Sequence, residues 1–173
     1  MKPQTIGEIT VSRVVEMEGF LFTDGPKFFE KSHPEALRAE EEWLAPYFYD
    51  TAQDSLIMSI HSFVVRTPHH TILVDTCCGN DKNRPSRQAQ HMLDTPFLDD
   101  LRATGVAPEE IDYVMCTHLH FDHVGWNTRL QDGEWVPTFP NAKYLFSRAD
   151  YEHFQEMPEP GTPAALSAGP VTP

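Results

Sequence analysis

From residue 55 to residue 76 the chain reads SLIMSIHSFVVRTPHHTILVDT, two runs of apolar and β-branched residues on either side of a tight Pro-His-His turn. This pattern predicts an antiparallel hairpin with both faces largely apolar. Upstream, EITVSRVVEM carries β-branched residues at Ile9, Val11, Val14 and Val15 and predicts a further strand. Between them, SHPEALRAEEEWLAPYF reads as a helix, with Ser32 as cap, Pro34 in the first turn and Glu35 three residues after Ser32. The acidic run Glu40 to Glu42 is its solvent face.

After Asp75 the pattern changes. CCGNDKNRPSRQAQHM is rich in Gly, Asn, Pro and charge and predicts a long loop leaving the end of a strand, a position in which loops often line active sites. DTPFLDDLRATGVAP then predicts a helix: Thr95 as cap, Pro96 at the first helical position, Asp99 and Asp100 near the positive end, and Gly105 as the stop. The strand IDYVMCT follows. EWVPTF and AKYLF predict two more short strands, and SRADYEHFQEM a helix whose Ser147 and Asp150 are spaced as a capping box. Alternation of strand and helix marks the fold class as α/β. The 16 residues from Pro158 to Pro173 contain five prolines and no aromatic, so they are expected to be disordered, leaving residues 1–157 as the folded part.

At 173 residues and 40% hydrophobic the chain suffices for one domain with a real core. Thirteen Lys and Arg against 26 Asp and Glu leave a formal charge of -13, which disfavours nucleic acid and anionic membrane as partners. The N-terminus lacks the apolar run of a signal peptide, and no stretch approaches the roughly 20 apolar residues of a membrane span, so a cytoplasmic protein is expected. Cys77, Cys78 and Cys116 form no disulfide framework and read as reduced, buried thiols.

The strand IDYVMCT leads straight into THLHFDHVG, residues 117–125, with three histidines and an aspartate in six positions. With nine His and 12 Asp in the chain, an HxHxDH string arises by chance in about two of a thousand such sequences. In an extended segment His118 and His120 point to the same side and can meet one metal, while Asp122 and His123 follow a turn and can reach a second. Gly125 serves either a tight backbone turn or ordinary loop punctuation. Of the remaining histidines, His33, His69 and His70 fall in solvent-exposed contexts, His91 lies near the long loop, and His61 reads as a hydrogen-bonded core residue or a partner behind the ligands. His153 falls on a helix surface.

THLHFDHVG after an apolar strand resembles the metal-binding signature of the metallo-β-lactamase-fold hydrolases, and TILVDTCCGN resembles the strand-end Asp motif that precedes it in that superfamily. GWNTRLQDGEWVPTFPNAKYLFSRADYEHF is similar to the continuation in the branch that includes acyl-homoserine-lactone lactonases and methyl parathion hydrolases. The resemblance spans about residues 8 to 157. It implies an αββα sandwich of which this chain supplies the N-terminal half, so that one sheet face lacks its cover. It also implies zinc, two per complete site with iron or manganese as alternatives, held by His118 and His120 for the first metal and Asp122 and His123 for the second. Asp75 would orient a ligand from behind them, and Asp122 would orient or deprotonate the metal-activated water that attacks a lactone, ester or phosphoester. The superfamily adds a third histidine, a bridging aspartate and a last histidine from downstream of HxHxDH. The chain is therefore expected to be a fragment or a half that pairs with a homo-oligomeric partner or a complementing C-terminal half. The alternative is a catalytically incomplete chain that binds a single metal through His118, His120 and His123 or acts as an interaction module.

Overall fold

The computed structural model describes residues 2–19 and 34–156. The expectations for Ser32, His33 and the segment 158–173 lie outside the described residues. Packing divides the chain into two units, Met17–Ile60 and the remainder.

The larger unit is built on a six-stranded sheet in the order β1-β2-β5-β6-β7-β10. Its strands are β1 (Gln4–Ile6), β2 (Ile9–Gly19), β5 (Met58–Arg66), β6 (Thr71–Val74), β7 (Tyr113–Met115) and β10 (Lys143–Leu145), with β2 and β5 running on beyond this unit. The predicted hairpin is β5 and β6, antiparallel, with Val64 opposite Leu73. Thr67 closes its turn: the hydroxyl accepts the His69 and His70 N–H groups at 3.2 and 2.8 Å. From β6 the chain crosses through a helix and returns as β7, parallel to β6, and β10 adds a second parallel neighbour. Asp112 starts this parallel block in register, its N–H donating to Thr71 O and its carbonyl accepting Lys143 N–H, both at 2.9 Å.

Alternation along the strands gives the sheet two different faces. Val64, Leu73 and Val114 are paired across three strands and are at most 1% exposed. Each such burial contributes roughly 1.5–3 kcal/mol. The opposite face carries the row Phe63, Val74, Met115 and Leu145, the last two 43% and 45% exposed. Among the described residues it is the less buried of the two faces, with Phe63 and Val74 half-buried.

The helix between β6 and β7 spans Phe97–Ala103 (α3, after two helices of the smaller unit) and buries Phe97 and Leu101. Gly105, at φ 84, ends it as expected. Its start differs from expectation. Pro96 holds the capping position, and Thr95 gives its N–H and hydroxyl to Asn80 Oδ1, 2.9 and 3.1 Å away. A partner on the long loop captured the hydroxyl that would have capped the helix. Further along, the expected strand EWVPTF is β9 (Glu134–Pro137), paired with a strand the pattern did not show, β8 (Thr128–Gln131). Asp132 and Gly133 join them at φ 53 and 86, the left-handed pair that a two-residue hairpin turn requires. The C-terminal helix α5 (Arg148–Glu156) begins after Ser147, whose Oγ lies 3.5 Å from Asp150 N.

In the smaller unit the predicted single helix is two, α1 (Pro34–Ala39) and α2 (Glu41–Leu44). Glu40 leaves helical geometry at φ -104, ψ 12, and its carboxylate accepts the Trp43 indole N–H at 2.6 Å. The short strands β3 (Tyr49–Asp50) and β4 (Ser55–Leu56) form a hairpin. Leu44, Tyr49 and Leu56 make its core with Leu37 and Met58 against them, and Asp54 bonds both Arg38 and the Tyr49 hydroxyl. Among the described residues no helix is long and apolar enough to cross a membrane.

Candidate metal centre

Two parallel strands deliver the candidate site to one edge of the sheet, outside their carboxyl ends. Asp75 follows β6, and its N–H donates to Met115 O at 2.9 Å, which extends the ladder one step and sets Asp75 beside the exit of β7. His118 and His120 lie on that exit, and the helix α4 (Phe121–Val124) turns Asp122 and His123 back toward it. Asp75 and Cys77 both adopt left-handed backbone, at φ 58 and 49. Such conformations cost of order 1–3 kcal/mol and persist where surrounding contacts fix them.

Those contacts run through Asp75. Its Oδ1 accepts Thr117 N–H at 2.7 Å, and its Oδ2 accepts the Thr117 hydroxyl at 2.8 Å and faces His123 Nδ1 at 2.9 Å. Burial alone would raise the Asp75 pKa, but the bonds from His123 and Thr117 outweigh it and hold the carboxyl below its ordinary value. A carboxylate only accepts, so His123 carries its proton on Nδ1 and leaves the Nε2 lone pair free. Thr117 spends its one hydroxyl proton on Asp75. The lone pair it turns toward His118 Nδ1, 3.1 Å away, therefore assigns a proton there and frees His118 Nε2 as well.

The four predicted ligands are brought together. The His118 ring lies 3.9 Å from that of His123 and 4.6 Å from that of His120, centre to centre, and Asp122 Oδ2 is 3.6 Å from His123 Nε2. Burial, then the neighbouring His123 and His120, lowers the His118 pKa and favours the neutral imidazole a metal needs. At His123 burial pulls the same way, but the Asp75 bond and Asp122 outweigh it and raise the pKa. A metal would compete with a proton at His123, while the donor types, three imidazoles and a carboxylate, suit a divalent ion. Among the described residues, however, no three His, Cys, Asp or Glu side chains are placed so as to hold one. What is assembled is a cluster of three imidazoles and one carboxylate at the exit of β7.

The other candidates lie elsewhere. His69 and His70 are exposed on the hairpin turn, and His153 is exposed on α5. His91 Nδ1 accepts Arg84 N–H at 3.0 Å and ties the long loop to itself, while His61 packs edge-on against Phe63. Cys77, Cys78 and Cys116 are buried free thiols, as expected.

Pattern reading missed Thr117, Thr76 and above all Glu16. Glu16 lies in β2 and accepts Cys78 N–H, Gly79 N–H and the Trp126 indole N–H at 2.7, 3.0 and 2.6 Å. An acid set between the apolar residues of the run RVVEM was the signal. Burial raises its pKa despite the three donors. Since the folded value lies above the unfolded one, the stability that protonation supplies is complete below about pH 4.5 and is lost as pH rises through the folded pKa. Urea titrations across pH 4–7 should show the wild type losing stability relative to Glu16→Gln as pH rises.

The family model for the Metallo-beta-lactamase superfamily matches residues 57–172. The N-acyl homoserine lactonase AttM of Rhizobium johnstonii is 38% identical over 60 residues, 35% of this chain and 19% of that protein. A probable metal-dependent hydrolase from Staphylococcus aureus superposes with a TM-score of 0.66 at 21% identity, covering 88% of this chain and 51% of that one. AidC, a dizinc quorum-quenching lactonase, gives 0.64 at 19% identity, with 90% and 47% covered. The chain thus spans about half the length of these solved structures, and by its matched residues it belongs to the metallo-beta-lactamase superfamily.

Proposed function

We propose that this chain carries the N-terminal part of a metal-dependent hydrolase acting on a lactone or related ester, with His118, His120, Asp122 and His123 as metal ligands. The observation that carries the reading is the setting of His123 by Asp75 directly and of His118 through Thr117, which leaves both Nε2 lone pairs free, that of His123 3.6 Å from Asp122 Oδ2. Those bonds stabilise the fold in any case, but a metal ligand also requires the nitrogen lone pairs that they leave free. The names of the relatives, N-acyl homoserine lactonases and a dizinc lactonase, point to zinc and to a lactone.

Each residue then has a task. His118 and His120 present imidazole nitrogens from the exit of β7. His123 presents Nε2 with its ring locked by Asp75. Asp122 lies beside that nitrogen, where its carboxylate can ligate and also take a proton from water. A divalent metal bound there would supply Lewis acidity and lower the pKa of water. The acidic composition suits a small neutral or cationic substrate better than a polyanion.

The test is metal content per chain, by elemental analysis of protein purified without chelator, beside His120→Ala. Near-stoichiometric zinc, iron or manganese in the wild type and its loss in the variant are expected, followed by hydrolysis of an N-acyl homoserine lactone once the remaining donors are supplied. A small fraction of an atom, equal in both proteins, would refute the ligand assignment.

A further inference from the structure

The segment that carries Asp75 and the turn that follows the histidines meet backbone to backbone. Thr76 N–H donates to His123 O, Gly125 N–H to Cys77 O and Trp126 N–H to Thr76 O, each at 2.8 Å. The Thr76 hydroxyl adds a bond to His123 O at 3.2 Å and one to Asn127 Oδ1 at 2.9 Å. His123 is thus held by its ring through Asp75 and by its carbonyl through Thr76. Whatever fixes the segment 75–79 against the turn 123–127 therefore fixes His123.

Glu16 spans that junction. Its carboxylate takes two donors from the first partner, Cys78 N–H and Gly79 N–H, and one from the second, the Trp126 indole. Arg84 grips the same peptide from its other side, donating to Cys78 O at 2.8 Å. Three donors facing two oxygens suit a carboxylate and no other side chain, because a glutamine amide would turn its own N–H groups against one of them. A half-buried carboxylate is costly to keep in a strand, and an apolar residue would be cheaper if packing were its only task.

We propose that Glu16 is a positioning residue for the metal centre: by bonding both segments it fixes the separation between Asp75 and the Asp122–His123 turn, and so sets how tightly the centre holds a divalent metal. This rests on the ligand assignment made above. Glu16 touches no ligand itself. It acts through Trp126, three residues beyond His123, and through Cys78 and Gly79, three and four residues beyond Asp75.

The experiment uses Glu16→Gln, Trp126→Phe, His120→Ala and, as a control for general destabilisation, Val64→Ala, whose buried side chain lies in the same sheet. Zinc affinity is read by competition with a chromophoric chelator, coordination by the visible spectrum of the cobalt(II) form, and stability by thermal melting. Glu16→Gln should weaken zinc about tenfold or more and alter the cobalt bands. Trp126→Phe should shift both in the same direction by less. Val64→Ala should lower the melting temperature with affinity and spectrum unchanged. Wild-type affinity and spectrum in folded Glu16→Gln would overturn the proposal, as would an unfolded Glu16→Gln beside a Trp126→Phe that binds as wild type. If His120→Ala also binds zinc as wild type, the ligand assignment fails instead, and the role of Glu16 falls with it.

Discussion

Gly125→Ala is expected to remove a large share of the stability of the larger unit. Gly125 is helical, at φ -61 and ψ -46, a conformation alanine prefers. The obstacle is space. A Cβ there would overlap the Cys78 carbonyl and lie 2.6 Å from Gly79 N. All of these atoms are backbone, so no rotamer change can make room. Gly79 faces the same contact from the other side at φ 76, and a Cβ on it would come within 2.6 Å of the Gly125 carbonyl. Overpacking a well-packed site costs typically 1–3 kcal/mol, and the cost is greater where backbone must move. A loss of about 4 kcal/mol is therefore expected, a large share of the 5–15 kcal/mol that ordinary domains possess. Thermal melting followed by circular dichroism should show a fall on the order of 10 °C or more, or no cooperative transition. Unchanged melting would mean that the two segments separate easily. The sequence left this glycine between a tight turn and loop punctuation, and the structure makes it neither: it is a point of close approach.

Asp75→Ala should be nearly as damaging and Asp75→Asn instructive. The alanine strands Thr117 N–H, the Thr117 hydroxyl and His123 Nδ1–H, all of which the carboxylate accepts. Bonds to a charged group contribute about 1.5–3 kcal/mol each, and with partial rescue by water a net loss of about 3 kcal/mol is expected in chemical denaturation. Asparagine can still accept from Thr117 N–H, but its amide would point N–H groups at His123 Nδ1. That reverses the tautomer and moves the lone pair away from Asp122. The expected result is a folded protein with zinc affinity reduced 10- to 100-fold, of order the usual effect of losing such a supporting carboxylate. Long-range nitrogen–proton correlation spectra of the metal-free variant should show the proton on His123 Nε2. An unchanged tautomer with unchanged affinity would remove Asp75 from the account of the centre. The wild-type contribution has a pH signature opposite to that of Glu16. The Asp75 pKa is depressed, so its stabilisation is present above the ordinary value of 3.8 and is lost as pH falls through the folded one.

Local pattern carried the fold as far as local forces decide it. β5 and β6 were legible because β-branched residues fill both runs and a turn divides them. The HxHxDH cluster was legible because its four residues fall within six consecutive positions. The strand Thr128–Gln131 was not, since Leu130 is its only large apolar residue, although the Asp132-Gly133 pair already marked a hairpin. Thr95 misled because the competitor for its hydroxyl, Asn80, is 15 residues away. The single helix over residues 32–48 failed at Glu40, whose carboxylate serves Trp43. Asp75 entered the site through family resemblance, because nothing between residues 75 and 123 announces that they meet. Glu16 lay beyond both routes, with partners 62 and 110 positions away.

Those separations bear on the order of events as the chain folds. The six residues from His118 to His123 are close in the unfolded chain, so under the proposed assignment they would meet a metal before any strand has paired. Their orientation is another matter. The Thr76–His123 bond closes a loop of 47 residues and the Glu16–Trp126 bond one of 110. Contacts that span so much chain form slowly, because closure entropy must be met before they return any energy. On the proposed ligand assignment, a metal present during refolding would bind early in the wrong geometry, and correct coordination would be a late event, timed by the arrival of β2 rather than by the histidines themselves.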